Sequence, residues 1–81
     1  MDRARLYDYL AGAENRLSDC SLRISYQEYL IAGLTRDGQD TGPAETALAN
    51  LRRAKQTHWE YRARLLSKIH ADEDSVRRQA P

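Results

Sequence analysis

The sequence predicts an all-α fold, an antiparallel two-helix hairpin of coiled-coil type that associates into a four-helix arrangement. Apolar or small residues recur at alternating spacings of four and three from Leu6 to Leu34, which is the pattern of a coiled-coil seam. A second ladder with the same spacing runs from Ala44 to Val76. The stretch between the ladders is short and contains Gly38, and a short connection makes neighbouring helices antiparallel.

Composition and charge restrict the class of protein. The 81 residues suffice for one small domain, a single hairpin over 1–81. Charged residues make up 31% of the chain and Phe is absent, which suits long solvated helices. The net charge of +1 provides no global field for nucleic acid or membranes. No run approaches the ~20 apolar residues of a membrane span, and the N-terminus lacks an apolar signal core. We therefore expect no membrane partner and a cytoplasmic location.

The first helix is predicted over about residues 3–37, with Asp2 as its N-cap. Gly38 follows the last turn and suits the left-handed conformation of the residue after a helix end. The seam of this helix is apolar or small except at one polar position. Its members are Leu6, Leu10, Ala13, Leu17, Cys20, Ile24, Gln27, Ile31 and Leu34.

The connection is predicted at 38–42 and the second helix over about 43–72. Thr41 is the preferred N-cap of this helix, because a threonine hydroxyl accepts from the first free N–H groups. Gly42 is the alternative, which makes Pro43 the first helical residue.

The end of the second helix is predicted to lose order. Three consecutive acids follow Ala71, and the last residue is a proline. Chain ends that few contacts hold down are poorly ordered, so we expect a frayed tail over 73–81.

Both ladders fit one antiparallel register. Flanking charges are compatible with it, because Glu28 lies near Lys55 and Glu14 near Lys68. The predicted seam pairs are Leu34 with Leu48, Ile31 with Leu51, Gln27 with Lys55, Ile24 with His58, Cys20 with Arg62, Leu17 with Leu65, Ala13 with Ile69, and Leu6 with Val76.

Several stretches follow a recognisable pattern: Ala13-Glu14-Asn15-Arg16-Leu17, Arg23-Ile24 with Gln27, Arg36-Asp37-Gly38-Gln39-Asp40-Thr41, and His58 with Arg62 and Leu65-Leu66. In these residues the chain, over about 10–70, resembles a group of very short uncharacterised alphaproteobacterial proteins built as a helical hairpin around an RDGxDT-like connection. The resemblance implies a hairpin and no activity, because the group has no assigned function.

Polar groups in the seam are the candidates for chemistry. His58 is either a pH-sensitive group or metal ligand, or a half-buried histidine bonded to Gln27 or a carboxylate. The lack of further ligands at metal spacing favours the second reading. Cys20 opposite Arg62 is an activated thiolate or, more in keeping with its position, a small seam residue. The Gln27–Lys55 layer either specifies the register or lets the lysine stem cover the seam.

One face of helix one, opposite its seam, is also apolar. A helix that is apolar around its circumference is usually buried on more than one side, and Gly33 allows another backbone to approach. Trp59 flanks the seam of helix two and is expected to extend the same surface. The alternative is a set of scattered surface aromatics, which are common. The predicted partner-binding residues are Leu22, Tyr26, Tyr29, Leu30, Gly33 and Trp59.

The function predicted from these features is a protein–protein interaction module, a small adaptor or chaperone-like hairpin. Its partner is a second copy, giving a homodimer, or another helical protein. The sequence holds no phosphate loop and no nucleophile with a base, so we expect no enzyme activity, cofactor or metal. The alternative is a nucleic-acid accessory protein that uses cations in the middle of helix two, although they point to several faces. These cations are Arg52, Arg53, Lys55, Arg62, Arg64 and Lys68.

Overall fold

Two long helices packed side by side make up the fold seen in the computed structural model, which describes residues 2–79. Helix α1 spans Arg3–Arg36 and helix α2 spans Gly42–Gln79. They run antiparallel and contact each other, so the predicted two-helix hairpin is confirmed. The last two positions of the predicted frayed tail, 80–81, lie outside the described residues.

The helix ends explain why the chain reverses where it does. Asp2 Oδ1 accepts from the Ala4 N–H at 3.4 Å and caps α1, as predicted. At the other end, the N–H of Gln39 donates to the carbonyl of Leu34 at 2.9 Å, and that of Gly38 donates to Thr35. This is a Schellman motif, which requires the left-handed φ of +69° that Gly38 adopts.

At the start of α2, the capping side chain belongs to Asp40, the residue before the predicted N-cap Thr41. Thr41 occupies the N-cap position, because its carbonyl accepts the first helical bond, from Glu45 N–H at 2.9 Å. The capping side chain is that of Asp40, whose Oδ1 accepts from the Gly42 N–H at 2.9 Å. An aspartate that bonds the backbone two residues further on forms an Asx turn, which precedes this helix.

The seam lies where the spacing places it. All nine seam positions of α1 are buried or half-buried. The best-packed part is at the open end of the hairpin, where Leu6, Ala13, Leu65 and Ile69 form a buried cluster. Ala44 and Leu48 are buried near the connection. In α2, however, Lys55 and Val76 are exposed, so two predicted seam positions were wrong.

The register at the open end differs from the predicted one, and two contacts there are displaced by six and seven residues, close to two helical turns. Glu14 pairs with Arg62, Oε1 to Nε at 3.3 Å, instead of lying beside Lys68. Leu6 belongs to the cluster that contains Ile69, whereas Val76, its predicted partner, is 51% exposed. Ladders of this spacing match again after each turn, so the spacing alone does not select one register.

The predicted fraying from 73 onwards needs correction, because α2 remains helical to Gln79. Two contacts with α1 hold this segment. Arg3 Nε lies 2.9 Å from Asp72 Oδ2, and the Tyr7 hydroxyl donates to Glu73 Oε1 at 2.8 Å. The acids that suggested disorder are thus the groups that tie the end of α2 to the start of α1.

The molecule is a thin rod. It measures 69 × 16 × 14 Å and has a radius of gyration of 18.8 Å. A compact domain of this length has a radius of gyration of about 12 Å. Most of the described residues outside the seam are accordingly exposed.

Candidate protein interface

Large apolar side chains are exposed on the half of α1 nearer the connection. Leu22, Tyr26 and Tyr29 are 72%, 63% and 75% exposed. Leu30 is exposed as well, and we call these four residues the bulky row. A Cβ added at Gly33 would meet only the Arg36 guanidinium, at 3.9 Å, so this part of α1 is open to an approaching chain. Contiguous exposed apolar surface of this kind usually marks an interaction site.

The bulky row borders a groove between the two helices. On α1 the groove is lined by Leu22, Tyr26 and Gln27, and on α2 by Ala47 and Leu51. Its volume is about 430 Å³. Arg23 lies at its edge and is paired within α1 to Asp19, Nε to Oδ2 at 3.1 Å. The groove is therefore mostly apolar, and an ion pair from one helix partly neutralises its only charged lining residue.

Ala47, which lines the groove on α2, belongs to a stripe of small, uncharged residues. Positions 43, 47, 50 and 54 recur at spacings of four and three and so share one stripe of the helix. Ala47 and Ala54 are half-buried, and the other two are exposed. We call Pro43, Ala47, Asn50 and Ala54 the small row, and the two rows with the groove between them the apolar flank.

Trp59 lies on the other side of the hairpin. It lines a second groove, of about 310 Å³, together with Ile24, Arg52, Lys55 and Gln56. Ile24 and Gln27 are three residues apart and hence about 60° apart around α1, so the two grooves open on opposite sides of the seam. Trp59 therefore does not extend the apolar flank, and its predicted place in that surface needs correction.

Polar contacts lie beside Trp59 on its side of the hairpin, which we call the charged flank. The Arg62 guanidinium lies 5.2 Å from the centre of the Trp59 ring, within cation–π range. Arg62 also pairs with Glu14 on α1. Trp59 thus has a partner within its own chain, in contrast to the bulky row.

Polar contacts between the helices cluster at the open end. Glu73 raises the pKa of Tyr7 by accepting a hydrogen bond from its hydroxyl, and Asp72 raises the pKa of Arg3 in the same way. In the half nearer the connection, the described residues form no hydrogen bond or ion pair between α1 and α2. Gln27 Oε1 is buried there without a hydrogen-bond partner among them.

The other candidate residues, His58 and Cys20, form no recognisable site with the residues that the structure describes. His58 is half-buried and Cys20 is buried and free. Residues 2–79 contain no group of three side chains able to hold a metal ion. Neither helix has an apolar stretch long enough to cross a bilayer.

Three of the six α2 cations predicted to bind nucleic acid make contacts within the chain: Arg53, Arg62 and Arg64. Arg53 donates to Asn50 Oδ1 at 2.8 Å, and Arg64 lies 5.9 Å from the centre of the Tyr61 ring. Arg53 and Arg64 lie on nearly the same face of α2, whereas Arg62 pairs with Glu14 across the seam.

Comparisons of the chain with protein-family models, with curated protein sequences and with solved structures find no match. The resemblance to the alphaproteobacterial hairpin proteins accordingly stays a prediction from the residues that carry it.

Proposed function

We propose that the chain is a protein–protein interaction module whose apolar flank packs against another helical polypeptide. The observation that carries this proposal is the pairing of the exposed bulky row on α1 with the uncharged small row on α2. Aromatic and large aliphatic side chains are the usual anchors of interfaces, and small residues let a partner helix approach closely. The module acts in the cytoplasm, where a free thiol such as that of Cys20 is maintained.

The half of the hairpin nearer the connection supports this proposal in two further ways. It has no polar contact between its helices among the described residues, so apolar packing holds α1 and α2 together there. Gln27, which lines the groove there, also has its Oε1 buried without a hydrogen-bond partner among the described residues. An unpaired buried polar atom costs about 1–3 kcal/mol, so the hairpin is weakened at the groove, where a partner would add apolar contacts.

Photo-crosslinking in the native cells tests the proposal. Tyr29 is replaced by the photo-reactive residue p-benzoylphenylalanine, and the matched control carries the same replacement at Trp59. Both positions are aromatic and more than half exposed, but they lie on different helices and on different surfaces. We expect a covalent adduct with one defined polypeptide from position 29 and not from position 59. No adduct from position 29, or equal adducts from both, would contradict the proposal.

Binding to nucleic acid, the alternative function, is tested by a separate titration. Such binding depends on phosphate contacts by cations and weakens steeply with salt. The full chain is titrated with fluorescent double-stranded DNA and single-stranded RNA at low salt. We expect no binding. A binding signal that is lost when Arg52 and Lys55 are changed to glutamine would instead support the nucleic-acid alternative.

A further inference from the structure

We propose that the polypeptide on the apolar flank is a second copy of this chain. The two copies are related by a two-fold axis that runs along the length of the hairpins, so that both connections lie at the same end. This inference rests on the proposed function, and it specifies the partner and its orientation.

The exposed area matches what a dimer of this size needs. The chain exposes 6179 Å², whereas a folded monomer of 9.3 kDa exposes about 5000 Å². The excess is therefore about 1200 Å², and a stable interface buries about 800 Å² on each partner. One copy on the apolar flank is enough to bring the exposed area into the range of ordinary folded chains.

The two rows are complementary to each other, which is what a two-fold interface requires. In such an interface the same patch serves both copies, and each residue pair occurs twice. The bulky row lies on α1 and the small row on α2. Tyr26, Ala47 and Leu51 line one groove, so the two rows are level with each other along the rod. A two-fold axis along the rod consequently places the bulky row of each copy over the small row of the other.

Charge does not oppose this arrangement. The net charge of the chain is +1, so two copies repel each other only weakly. Within the apolar flank, Arg23 already pairs with Asp19.

Sedimentation of the purified full chain from about 1 to 300 μM tests the second copy. We expect wild type to sediment as a dimer, and we expect Tyr26→Glu and Ala47→Glu each to raise the dimer dissociation constant at least 100-fold. The two variants are chosen from different helices because the interface joins the bulky row to the small row. Trp59→Glu on the charged flank is the matched control and should remain dimeric. A wild type that is monomeric throughout this range would overturn the inference.

Folding is monitored in the same samples by circular dichroism. If the charged variants lose helicity, their masses no longer report on the interface. The inference is then supported if the helicity and the mass of wild type fall together on dilution. A wild type that dissociates on dilution while Ala47→Glu stays dimeric would contradict the placement of the small row in the interface.

Distances between spin labels test the orientation. A single label is attached at Gln39→Cys in a Cys20→Ala background. Connections at the same end are separated by about 10–25 Å, given an interaxial distance of 8–10 Å and the length of the label. Copies facing opposite ways about Tyr26 place the labels about 40 Å apart, because position 39 lies some 13 residues, or about 20 Å, along the rod from Tyr26. The longer distance would overturn the proposed axis.

The result of the crosslinking separates this inference from the proposed function. A chain that is monomeric when purified, but forms an adduct from position 29 with a different polypeptide in cells, is an interaction module with another partner. A monomeric chain that forms no adduct contradicts both proposals.

Discussion

At the scale of single residues, Gln27 is the seam position whose side chain fits its surroundings least well. Its Oε1 is buried without a hydrogen-bond partner among the described residues, and Lys55, its predicted partner, is exposed. A polar residue in a seam lowers stability and restricts which helices pair and in which register. Gln27 thus weakens the isolated hairpin at the level of the groove that we assign to the interface.

Replacing this glutamine with an apolar residue is expected to stabilise the fold. Gln27→Leu removes the unpaired acceptor and adds a branched side chain to the seam, so the free energy of unfolding should rise by about 1 kcal/mol. Urea denaturation at fixed protein concentration measures the change. Gln56→Leu is the control: this exposed amide donates to Glu60 within α2, and we expect a change below about 0.5 kcal/mol. A loss of stability in Gln27→Leu would show that the glutamine has a partner in solution.

Tyr7 gives the stability a dependence on alkaline pH. Its hydroxyl donates to Glu73, and this bond raises the pKa of Tyr7 in the folded chain. The folded state therefore holds the proton more tightly than the unfolded state does. The contribution is complete below the ordinary tyrosine pKa of about 10 and is lost as pH rises through the higher folded value.

Thermal unfolding at a series of pH values checks this expectation. Wild type should unfold at a higher temperature than Tyr7→Phe at pH 7–9, and the difference should shrink as the pH rises above the ordinary tyrosine pKa of about 10. Tyr9→Phe is a closely matched control, because Tyr7 and Tyr9 are 44% and 46% exposed on the same helix. A constant difference between wild type and Tyr7→Phe across the whole range would contradict the assigned bond.

At the scale of the helices, the spacing of apolar residues predicted which face of α1 is buried, but it did not predict the register between α1 and α2. The seam prediction for α1 holds at all nine positions because burial follows the spacing of apolar residues. The register depends on features that spacing does not contain. These are the Asx turn at Asp40, the Schellman motif at Gly38, and polar pairs such as Glu14 with Arg62.

Two glycines allow the helix and its termination to be tested separately. Gly12 lies inside α1, and a Cβ there would meet only the Arg16 guanidinium, at 3.9 Å. Gly12→Ala should therefore stabilise the chain by about 0.5–1 kcal/mol. Gly38→Ala should destabilise it by about 1–2 kcal/mol, because the left-handed φ of +69° at this position strains an L-residue. Thermal denaturation measures both changes, and effects of the same sign would contradict the Schellman motif as the end of α1.

The end of α2 should loosen when its contact with α1 is removed. Asp72→Ala deletes the partner of Arg3, and exposed pairs contribute about 0.2–1 kcal/mol. Amide hydrogens of residues 74–78 should then exchange up to about fivefold faster, measured by hydrogen–deuterium exchange. Asp74→Ala, an exposed acid of the same turn, is the control and should change exchange less. Unchanged protection in Asp72→Ala would mean that other contacts hold this segment.

At the scale of the whole molecule, the two rows of the proposed interface could be predicted in part. The bulky row was recognised because its residues recur on the face of α1 opposite the seam, and they are exposed there. The small row was missed, since alanine and asparagine give no hydrophobic signal. Trp59 was assigned to the same surface although it lies on the charged flank. A helical spacing gives the angle of a residue around its own helix, but the flank also depends on the register between the helices.

The shape of the rod makes the proposed dimer recognisable by small-angle X-ray scattering. A second copy beside the first adds thickness but no length, so the radius of gyration should rise only from 18.8 Å to about 19–20 Å while the scattering mass doubles. Joining the same rods end to end would instead increase the radius of gyration to roughly 40 Å, given their length of 69 Å. Ala47→Glu, which places a charge in the small row, should halve the mass with little change in length. A doubled mass accompanied by a large increase in the radius of gyration would exclude the apolar flank as the interface, because that flank runs parallel to the rod.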